Sequence, residues 1–203
     1  MRGGRPASAE MGVQAHMRKR AGELRIIGGV WRSRRIRFPG DSGLRPTPDR
    51  VRETLFNWLG PWVEGRRVLD LFAGSGALGL EALSRGAAEA VFVECSRVAA
   101  DALKANAAAL GASGATVECT DALDFLDRTG GEFDLVFIDP PYASALARPA
   151  LERLLTGHFL RQGGYVYLEE DVHAGSAGAS GVPQGLSVVR EVRAGTVYGR
   201  LLR

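Results

Sequence analysis

Apolar residues follow two alternating patterns along the chain after residue 65. Short, almost continuous apolar runs predict buried strands, and apolar residues at every third or fourth position predict amphipathic helices. Strands that alternate with helices favour a parallel sheet with helices on both faces. The predicted strands are RVLDLFAG, AVFVECS, ATVECTD, FDLVFIDPP and GGYVYLEED, and the predicted helices run to Leu83 and over residues 97–110, 123–128 and 149–160.

The chain ends in the segment LSVVREVRAGTVYGRLLR, where two β-type stretches flank a turn at Ala194 and Gly195. A short turn joins antiparallel strands, whereas parallel strands need a longer crossover. We therefore predict an α/β fold with a doubly wound, Rossmann-like sheet. The sheet is mostly parallel and has an antiparallel C-terminal hairpin at its edge.

A basic hairpin is predicted upstream of this sheet. The segment LRIIGGVWRSRRIRFP contains two short strand patterns on either side of a Gly-Gly pair. In the second, Arg35 and Arg37 alternate with Ile36 and Phe38, and successive side chains of a strand point to opposite faces. The pattern predicts a small N-terminal β-hairpin with one basic face and one packing face.

A helix is predicted next, from the segment RPTPDRVRETLFNWLGP. Thr47 is placed to cap a helix that begins at Pro48, with Asp49 in the first turn, where a negative charge is favourable. Apolar residues at helical spacing provide a packing face, and a Gly-Pro pair ends the helix. Arg50 and Glu53 fall on the exposed face, where they could form an ion pair.

Composition and charge narrow the class of protein. Hydrophobic residues make up 45% of the 203 residues and charged residues 24%, which is ordinary for a globular protein with its own core. The net charge is +3, but residues 18–37 hold eight basic residues and one acid, which leaves −4 on the remainder. A basic block on a mildly acidic body favours a polyanionic partner.

We expect the chain to have three parts: a disordered leader or tag (residues 1–17), a basic hairpin-and-helix extension (residues 18–62) and the main domain (residues 63–203). No apolar run approaches the length of a membrane span, and the first residues lack the apolar centre of a signal peptide. The two cysteines and three histidines are scattered and indicate no disulfide framework or metal site. We expect a cytoplasmic monomer.

A glycine-rich loop follows the first strand of the predicted sheet. Gly74, Ser75 and Gly76 open the sequence G-x-G-x-x-G, which ends at Gly79 and leads into a helix. Glycines let a backbone approach a ligand closely, and Glu94 at the end of the next strand can bond ribose hydroxyls. The pattern suits any adenosine-containing cofactor and leaves NAD, FAD and S-adenosylmethionine open.

Three acids at the ends of successive strands help to choose among these cofactors. Asp70, Glu94 and Asp121 would surround the crevice at the carboxyl edge of the sheet. Asp70 would repel a pyrophosphate but attract the sulfonium and ammonium groups of S-adenosylmethionine. Each acid alone could be a helix cap or a solvated side chain, but together with the loop they favour S-adenosylmethionine. We also expect Phe72 and Ala122 to contact the cofactor.

The segment FIDPPY places Asp139, Pro140, Pro141 and Tyr142 at the end of the fourth strand, beside the same crevice. Two prolines forbid a helix and stiffen the turn. The Asp139 carboxylate and the Pro140 carbonyl can each accept one N–H of an exocyclic base amine, which turns the lone pair of the amine towards a methyl donor. Tyr142 offers a ring on which the base can stack.

Taken together, these segments resemble the RsmD family, which are S-adenosylmethionine-dependent guanine-N2 methyltransferases of 16S ribosomal RNA in the small subunit. The resemblance runs from about Leu24 to the C-terminus. It rests on LRIIGGVWRSRRI, RPTPDRVRETLFNWL, LDLFAGSGALGLEALSRGA, FVECS and FIDPPY. The glycine loop and DPPY indicate only an amino-methyltransferase, whereas the basic hairpin followed by RPTPDRVRETLFNWL is specific to this family.

The resemblance implies a role for each acid and for the glycines of the loop. Asp70, Gly74 and Gly76 would line the methionine end of the cofactor. Glu94 would hold the ribose, and Asp121 would lie on the adenine side.

The resemblance also implies how RNA is held. Asp139, Pro140 and Tyr142 would bind the target guanine, and residues 45–53 would close over cofactor and substrate. The substrate would be small-subunit ribosomal RNA within an assembled or assembling subunit. Phosphate or carboxylate contacts would come from Arg32, Arg34, Arg35, Arg37, Arg45 and Arg50.

Three other functions remain open. An adenine-N6 methyltransferase of DNA would share DPPY, although the chain lacks an obvious segment of the size that reads duplex DNA. An NAD-dependent oxidoreductase would use the glycine pattern, although Asp70 and DPPY argue against it. A non-catalytic RNA-binding assembly factor would keep the hairpin and a vestigial pocket.

Overall fold

The computed structural model of the protein describes residues 21–40, 46–128, 130–141, 144–171 and 181–203. These residues form nine strands and five α-helices, and none of these helices is long and apolar enough to cross a membrane. In chain order the elements are β1 (Ala21–Arg25), β2 (Arg35–Pro39), α1 (Asp49–Leu59), β3 (Arg67–Asp70), α2 (Ala77–Ser84), β4 (Glu89–Val93), α3 (Arg97–Leu110), β5 (Ala115–Glu118), α4 (Ala122–Arg128), β6 (Phe133–Ile138), α5 (Ala147–Thr156), β7 (Leu160–Asp171), β8 (Val188–Ala194) and β9 (Val197–Leu202).

The main sheet confirms the predicted fold class. Its seven strands lie in the order β5-β4-β3-β6-β7-β9-β8. The first five are parallel, and β9 and β8 are antiparallel at one edge. The order of the strands reverses between β3 and β6, and in open α/β sheets ligands bind outside the carboxyl ends of the strands at such a point.

Helices cover both faces of this sheet. On one face α1, α2, α3 and the N-terminal hairpin share a core in which Phe56 of α1 meets Phe137 of β6 edge-to-face, with ring centroids 6.1 Å apart. On the other face α4 and α5 pack their own apolar cluster against the sheet, which includes Phe125 and Leu151. Every residue of β6 is buried, as expected for a central parallel strand.

The N-terminal hairpin has the predicted alternation. Arg35 and Arg37 are exposed, Ile36 is buried and Phe38 is partly buried. The two strands stand further apart in sequence than predicted, because residues 26–34 connect them and include a short 3₁₀ turn at Gly29–Trp31.

The hairpin is attached to α2, the helix that follows the glycine loop. Glu81 of α2 accepts hydrogen bonds from the backbone N–H groups of Ile27 and Gly28, at 2.7 and 2.8 Å. Gly29 has a φ of +75°, and a Cβ at this position would lie 1.8 Å from the carbonyl oxygen of Ser84. The hairpin backbone therefore lies directly on this helix.

Two predicted helix boundaries were wrong. Residue 160 was predicted to end a helix, but α5 ends at Thr156 and Leu160 begins β7. At the other boundary, α1 begins at Asp49 with Pro48 as the N-cap residue, and no side chain caps it. Thr47 does not cap the helix because it lies one residue further out, where its hydroxyl is directed to Asp139.

Candidate active site

A cavity of about 460 Å³ opens at the carboxyl edge of the sheet, and it brings together half of the predicted site residues. Gly76 and Pro140 lie outside the lining, as do the exposed arginines. Tyr142 and Arg45 fall outside the described residues. The predicted residues that line the cavity are Asp70, Phe72, Gly74, Ser75, Glu94, Asp121, Ala122, Asp139 and Pro141.

Asp70 ends β3 and is 2% exposed. Its Oδ2 accepts the backbone N–H of Gly79, in the first turn of α2, at 3.0 Å. Burial raises the pKa of Asp70 to about 7; the Gly79 hydrogen bond opposes the rise, and the nearby charges of Asp139 and Glu94 add to it. A cation in the cavity would relieve this buried charge.

The glycines of the loop have separate structural roles. Gly76 has a φ of +77° at the start of α2, and a Cβ there would lie 2.2 Å from Leu103 Cδ1. A Cβ on Gly79 would lie 2.2 Å from the ring of Phe92. Both positions therefore need glycine for backbone conformation or close helix–strand packing.

Glu94 supports the loop from the end of β4. Its Oε2 accepts the N–H of Gly74 at 2.8 Å, and its Oε1 accepts the N–H of Ser96 at 2.7 Å. The carboxylate is thus held in one orientation by backbone donors, at the wall of the cavity.

Asp121 caps α4, which was one of the two roles left open for it. Its Oδ1 accepts the N–H groups of Leu123 and Asp124, at 2.8 and 3.3 Å. Asp121 also lines the cavity, and no described residue donates to its Oδ2. A second role for this side chain towards a ligand is therefore compatible with its role as a cap.

Asp139 follows β6, the strand that pairs with β3, so it stands beside Asp70 across the switch point. The Thr47 hydroxyl donates to Asp139 Oδ2 at 3.1 Å. Burial raises the pKa of Asp139, and this hydrogen bond opposes the rise. Thr47 is 3% exposed and lines the cavity.

A second buried acid stands behind Asp139 on β7. Glu169 is 1% exposed, and its Oε2 accepts the Tyr167 hydroxyl at 2.8 Å. Burial raises the pKa of Glu169, and the charge of Asp139 raises it further, while hydrogen bonds from the Tyr167 and Thr47 hydroxyls oppose the rise. Glu169 was not predicted from the sequence, although an acid that directly follows the apolar residues of YVYLEED was a signal that could have identified it.

Arg52 was also not predicted from the sequence as a site residue, and it lies in the interior of the protein. Its side chain is fully buried, its Nε donates to the Thr47 carbonyl at 3.2 Å, and its Nη1 lies 3.6 Å from Glu81 Oε2. On the same helix Arg50 is exposed and does not line the cavity. The possible i,i+3 ion pair between Arg50 and Glu53 is not found within the described part of α1.

The hairpin arginines are all exposed but differ in their contacts. The Arg34 guanidinium donates to a carbonyl oxygen in the last turn of α3 at 2.6 Å, and Arg35 pairs with Glu23 at 3.0 Å. The side chains of Arg32 and Arg37 have no partner among the described residues. Two of the four arginines thus present their donors to solvent, and Arg34 helps to dock the hairpin.

No group of three or more His, Cys, Asp or Glu side chains within the described ranges could hold a metal ion. The side chains that line the cavity carry carboxylates, hydroxyl groups, one thiol and apolar groups.

Known proteins are similar to this chain in both sequence and structure. A family model described as conserved hypothetical protein 95 matches residues 24–202. Ribosomal RNA small subunit methyltransferase D of Escherichia coli K12 is 45% identical over 181 residues, which cover 89% of this chain and 90% of the relative. The protein of the same name from Haemophilus influenzae is 44% identical over 154 residues, which cover 74% of this chain and 80% of the relative.

A solved structure agrees with these matches. The structure of yhhF from Escherichia coli has a TM-score of 0.81 and 42% sequence identity, and the match covers 89% of this chain and 97% of that one. The residues matched by the family model include most of the hairpin, the glycine loop and the segment that carries Asp139. The chain therefore belongs to the RsmD family, the ribosomal RNA small subunit methyltransferases D.

Proposed function

We propose that this protein transfers a methyl group from S-adenosylmethionine to the exocyclic N2 amine of a guanine in 16S ribosomal RNA of the small subunit. The observation that carries the proposal is the pair Asp70 and Asp139, which face one cavity from the ends of adjacent strands. One acid can attract a cationic donor while the other holds an amine. The names of the relatives support the substrate class, ribosomal RNA of the small subunit.

The residues around the cavity suit S-adenosylmethionine. The cavity volume lies within the usual range for small-molecule sites. Asp70 can pair with the positive charge of the methionine end, Glu94 can accept ribose hydroxyls, and Asp121 Oδ2 can accept the adenine amine. Phe72 and Ala122 offer apolar contact to the adenosine. When bound, the cofactor supplies the methyl group, whose bond to sulfur breaks as the bond to nitrogen forms.

Asp139 has the central chemical role in this proposal. The lone pair of an exocyclic amine is delocalised into the base and is a poor nucleophile. If Asp139 and the Pro140 carbonyl each accept one N–H, the lone pair is directed at the methyl group, and one proton passes to Asp139 as the C–N bond forms. Tyr142, the next residue in the sequence after Pro141, would stack on the base.

The hairpin would supply contacts to RNA phosphates. Exposed arginines that have no partner among the described residues can neutralise phosphates and release counterions, and these contacts carry no sequence information. Selection of one guanine would then rest on RNA shape and on the access of an unstacked base to the cavity. Arg32 and Arg37 fit this role better than Arg34 and Arg35, which contact the protein itself.

Methyl transfer to small ribosomal subunits that lack the modification tests the proposal. Labelled S-adenosylmethionine is supplied, and the product RNA is digested to nucleosides for identification. We expect the label in N2-methylguanosine. Label in methyladenosine would contradict the base assignment and keep the amine chemistry. Absence of both labelling and cofactor binding would overturn the proposed activity.

Salt dependence of RNA binding tests the role of the hairpin. Replacement of Arg32 and Arg37 by Ala should reduce the slope of log K against log salt by roughly 0.7 to 0.9 for each phosphate that is no longer neutralised. The matched control replaces Arg190 and Arg193, two exposed arginines on the edge strand β8. An unchanged slope in the hairpin variant would exclude these arginines from the interface.

A further inference from the structure

We propose that Thr47 is a positioning residue for methyl transfer: its hydroxyl orients Asp139 and keeps that carboxylate ionised, and Arg52 holds Thr47 in place. This inference rests on the proposed function, because it assigns the amine-binding role to Asp139. For Thr47 itself the residue pattern predicted a helix cap, although the family resemblance implied that residues 45–53 close over cofactor and substrate.

The bond from Thr47 determines which Asp139 oxygen is free. Thr47 Oγ1 donates to Asp139 Oδ2, and no described residue donates to Oδ1. A carboxylate held at one oxygen presents the other in a defined direction, which is the requirement for accepting a single N–H of a base amine. Thr47 itself lines the cavity, so its hydroxyl acts at the wall where substrate would enter.

The hydroxyl also opposes the effect of burial, which raises the pKa of Asp139. Asp70, at the end of β3, and Glu169, on β7, both interact with the charge of Asp139, and both are buried. Such neighbours and burial favour the neutral form of a carboxyl. Thr47 donates to Asp139, and its bond stabilises the charged form of that carboxyl. The same hydroxyl also faces Glu169, where it opposes the rise in the pKa of that acid.

Arg52 explains how Thr47 is kept in this position. The Arg52 guanidinium donates through Nε to the Thr47 carbonyl and through Nη2 to the Arg25 carbonyl, at 3.2 and 3.0 Å. Nη2 also pairs with Asp49 Oδ1 at 2.6 Å. The buried Arg52 guanidinium thus joins the end of β1, the first turn of α1 and Thr47, which bonds Asp139.

This arrangement connects the hairpin to the proposed reaction centre. Glu81 binds the backbone at Ile27 and Gly28 and lies 3.6 Å from Arg52 Nη1. The hairpin backbone, Arg52, Thr47 and Asp139 therefore form one continuous set of polar contacts. Thr47 stands at the point where this set reaches the cavity.

The test measures kcat for methyl transfer as a function of pH in Thr47→Val, Thr47→Ser and the wild type, with cofactor and subunits saturating. Val keeps the shape of Thr but cannot donate, so the pKa of Asp139 should rise. We expect the acidic limb of the Thr47→Val profile to move to higher pH by about one unit, with activity recovered at alkaline pH. Thr47→Ser restores the donor and should return the limb towards the wild-type position.

A matched control separates this effect from a general loss of packing. Thr54→Val removes a hydroxyl from α1, the helix that follows Thr47; this hydroxyl donates to the Arg50 carbonyl at 2.8 Å, and its loss should leave the profile unchanged. Binding of S-adenosylmethionine by Thr47→Val, measured by calorimetry, verifies that the variant is folded.

Three results would overturn the inference while the proposed function stands: a Thr47→Val profile that overlays the wild type, an equal loss at every pH, or a Thr47→Ser limb displaced as far as that of Val. If the wild type transfers no methyl group to any RNA, the proposed function itself fails. The two failures are therefore distinguished by the wild-type measurement.

Discussion

The two sides of the cavity are held together by different kinds of contact. On the glycine-loop side, Asp70 and Asp121 accept backbone N–H groups from helix starts that are nine and two residues away. Glu94 accepts the N–H of Ser96, two residues on, and that of Gly74, 20 residues earlier. On the other side, Asp139 is held by the Thr47 hydroxyl, which lies 92 residues earlier in the chain. Glu169, from a third segment, stands behind it.

This difference indicates which side of the cavity forms together with the sheet and which side forms only when distant segments of the chain dock on it. Backbone donors at helix starts are in place once each strand–loop–helix unit forms. The Thr47–Asp139 bond exists only when α1 and the hairpin have docked on the finished sheet. We therefore expect substitutions on the glycine-loop side to affect cofactor affinity, and those on the Asp139 side to affect the rate of transfer.

The largest expected effect is that of Asp139→Ala on the rate. Loss of the amine acceptor should lower kcat on the order of 10²- to 10³-fold or more, while the dissociation constant for S-adenosylmethionine changes little. Single-turnover transfer and calorimetry measure the two quantities. Asp127→Ala, an exposed acid on α4 that pairs with Arg153, is the matched control. A near-normal rate in Asp139→Ala would remove Asp139 from the chemistry.

Asp70→Asn should weaken cofactor binding more than it lowers the rate of transfer. The neutral amide keeps an acceptor for the Gly79 N–H but loses the charge that attracts the cofactor. We expect the dissociation constant for S-adenosylmethionine to rise roughly 10- to 100-fold, with a smaller change in kcat at saturation. A loss confined to kcat would contradict the assignment of Asp70 to the cofactor.

Asp70→Asn should also change how the unfolding free energy of the cofactor-free protein depends on pH. The pKa of Asp70 rises from 3.8 to about 7 on folding, so between these values the unfolded chain has lost a proton that the folded protein retains. The unfolding free energy of the wild type should therefore fall as pH rises through this window, by at most about 1.4 kcal/mol per pH unit from this group. Asp70→Asn should lack this contribution in urea unfolding at several pH values. Equal pH dependence in both proteins would contradict the raised pKa.

The smallest expected effect separates the two roles of Asp121. Asp121→Ser keeps a good N-cap for α4 but removes the second carboxylate oxygen, so stability should stay within about 0.5 kcal/mol of the wild type. If Asp121 Oδ2 also binds the adenine amine, the dissociation constant for S-adenosylmethionine should rise several-fold. Unchanged affinity would leave Asp121 as a helix cap alone. Urea unfolding and calorimetry measure the two quantities.

Much of the fold and half of the candidate site follow from local patterns. The order of strands and helices was read from apolar spacing, and Asp70, Glu94, Asp121 and Asp139 each end a strand or start a helix. In a parallel sheet such positions must share one edge. Element ends were less accurate where glycines and short turns separate helix from strand, as between α5 and β7.

The roles of Arg52, Thr47 and Glu169 were not predicted from the sequence, because these roles arise only in the folded protein. Arg52 was one charged residue among several on a predicted amphipathic helix, and nothing in its neighbours shows that it is buried. Thr47 matched a capping pattern, which is the favoured local use of its hydroxyl. Glu169 lay within a strand whose partners and burial depended on the sheet order.

The sequence by itself determined the doubly wound sheet, the alternating hairpin and the acids at the strand ends, because apolar period and strand order are properties of short segments. Only the tertiary structure decided that Thr47 bonds Asp139 and that Arg52 joins it to the hairpin. Such bonds link groups distant in the chain, and a buried polar group takes whichever partner the packing brings within reach.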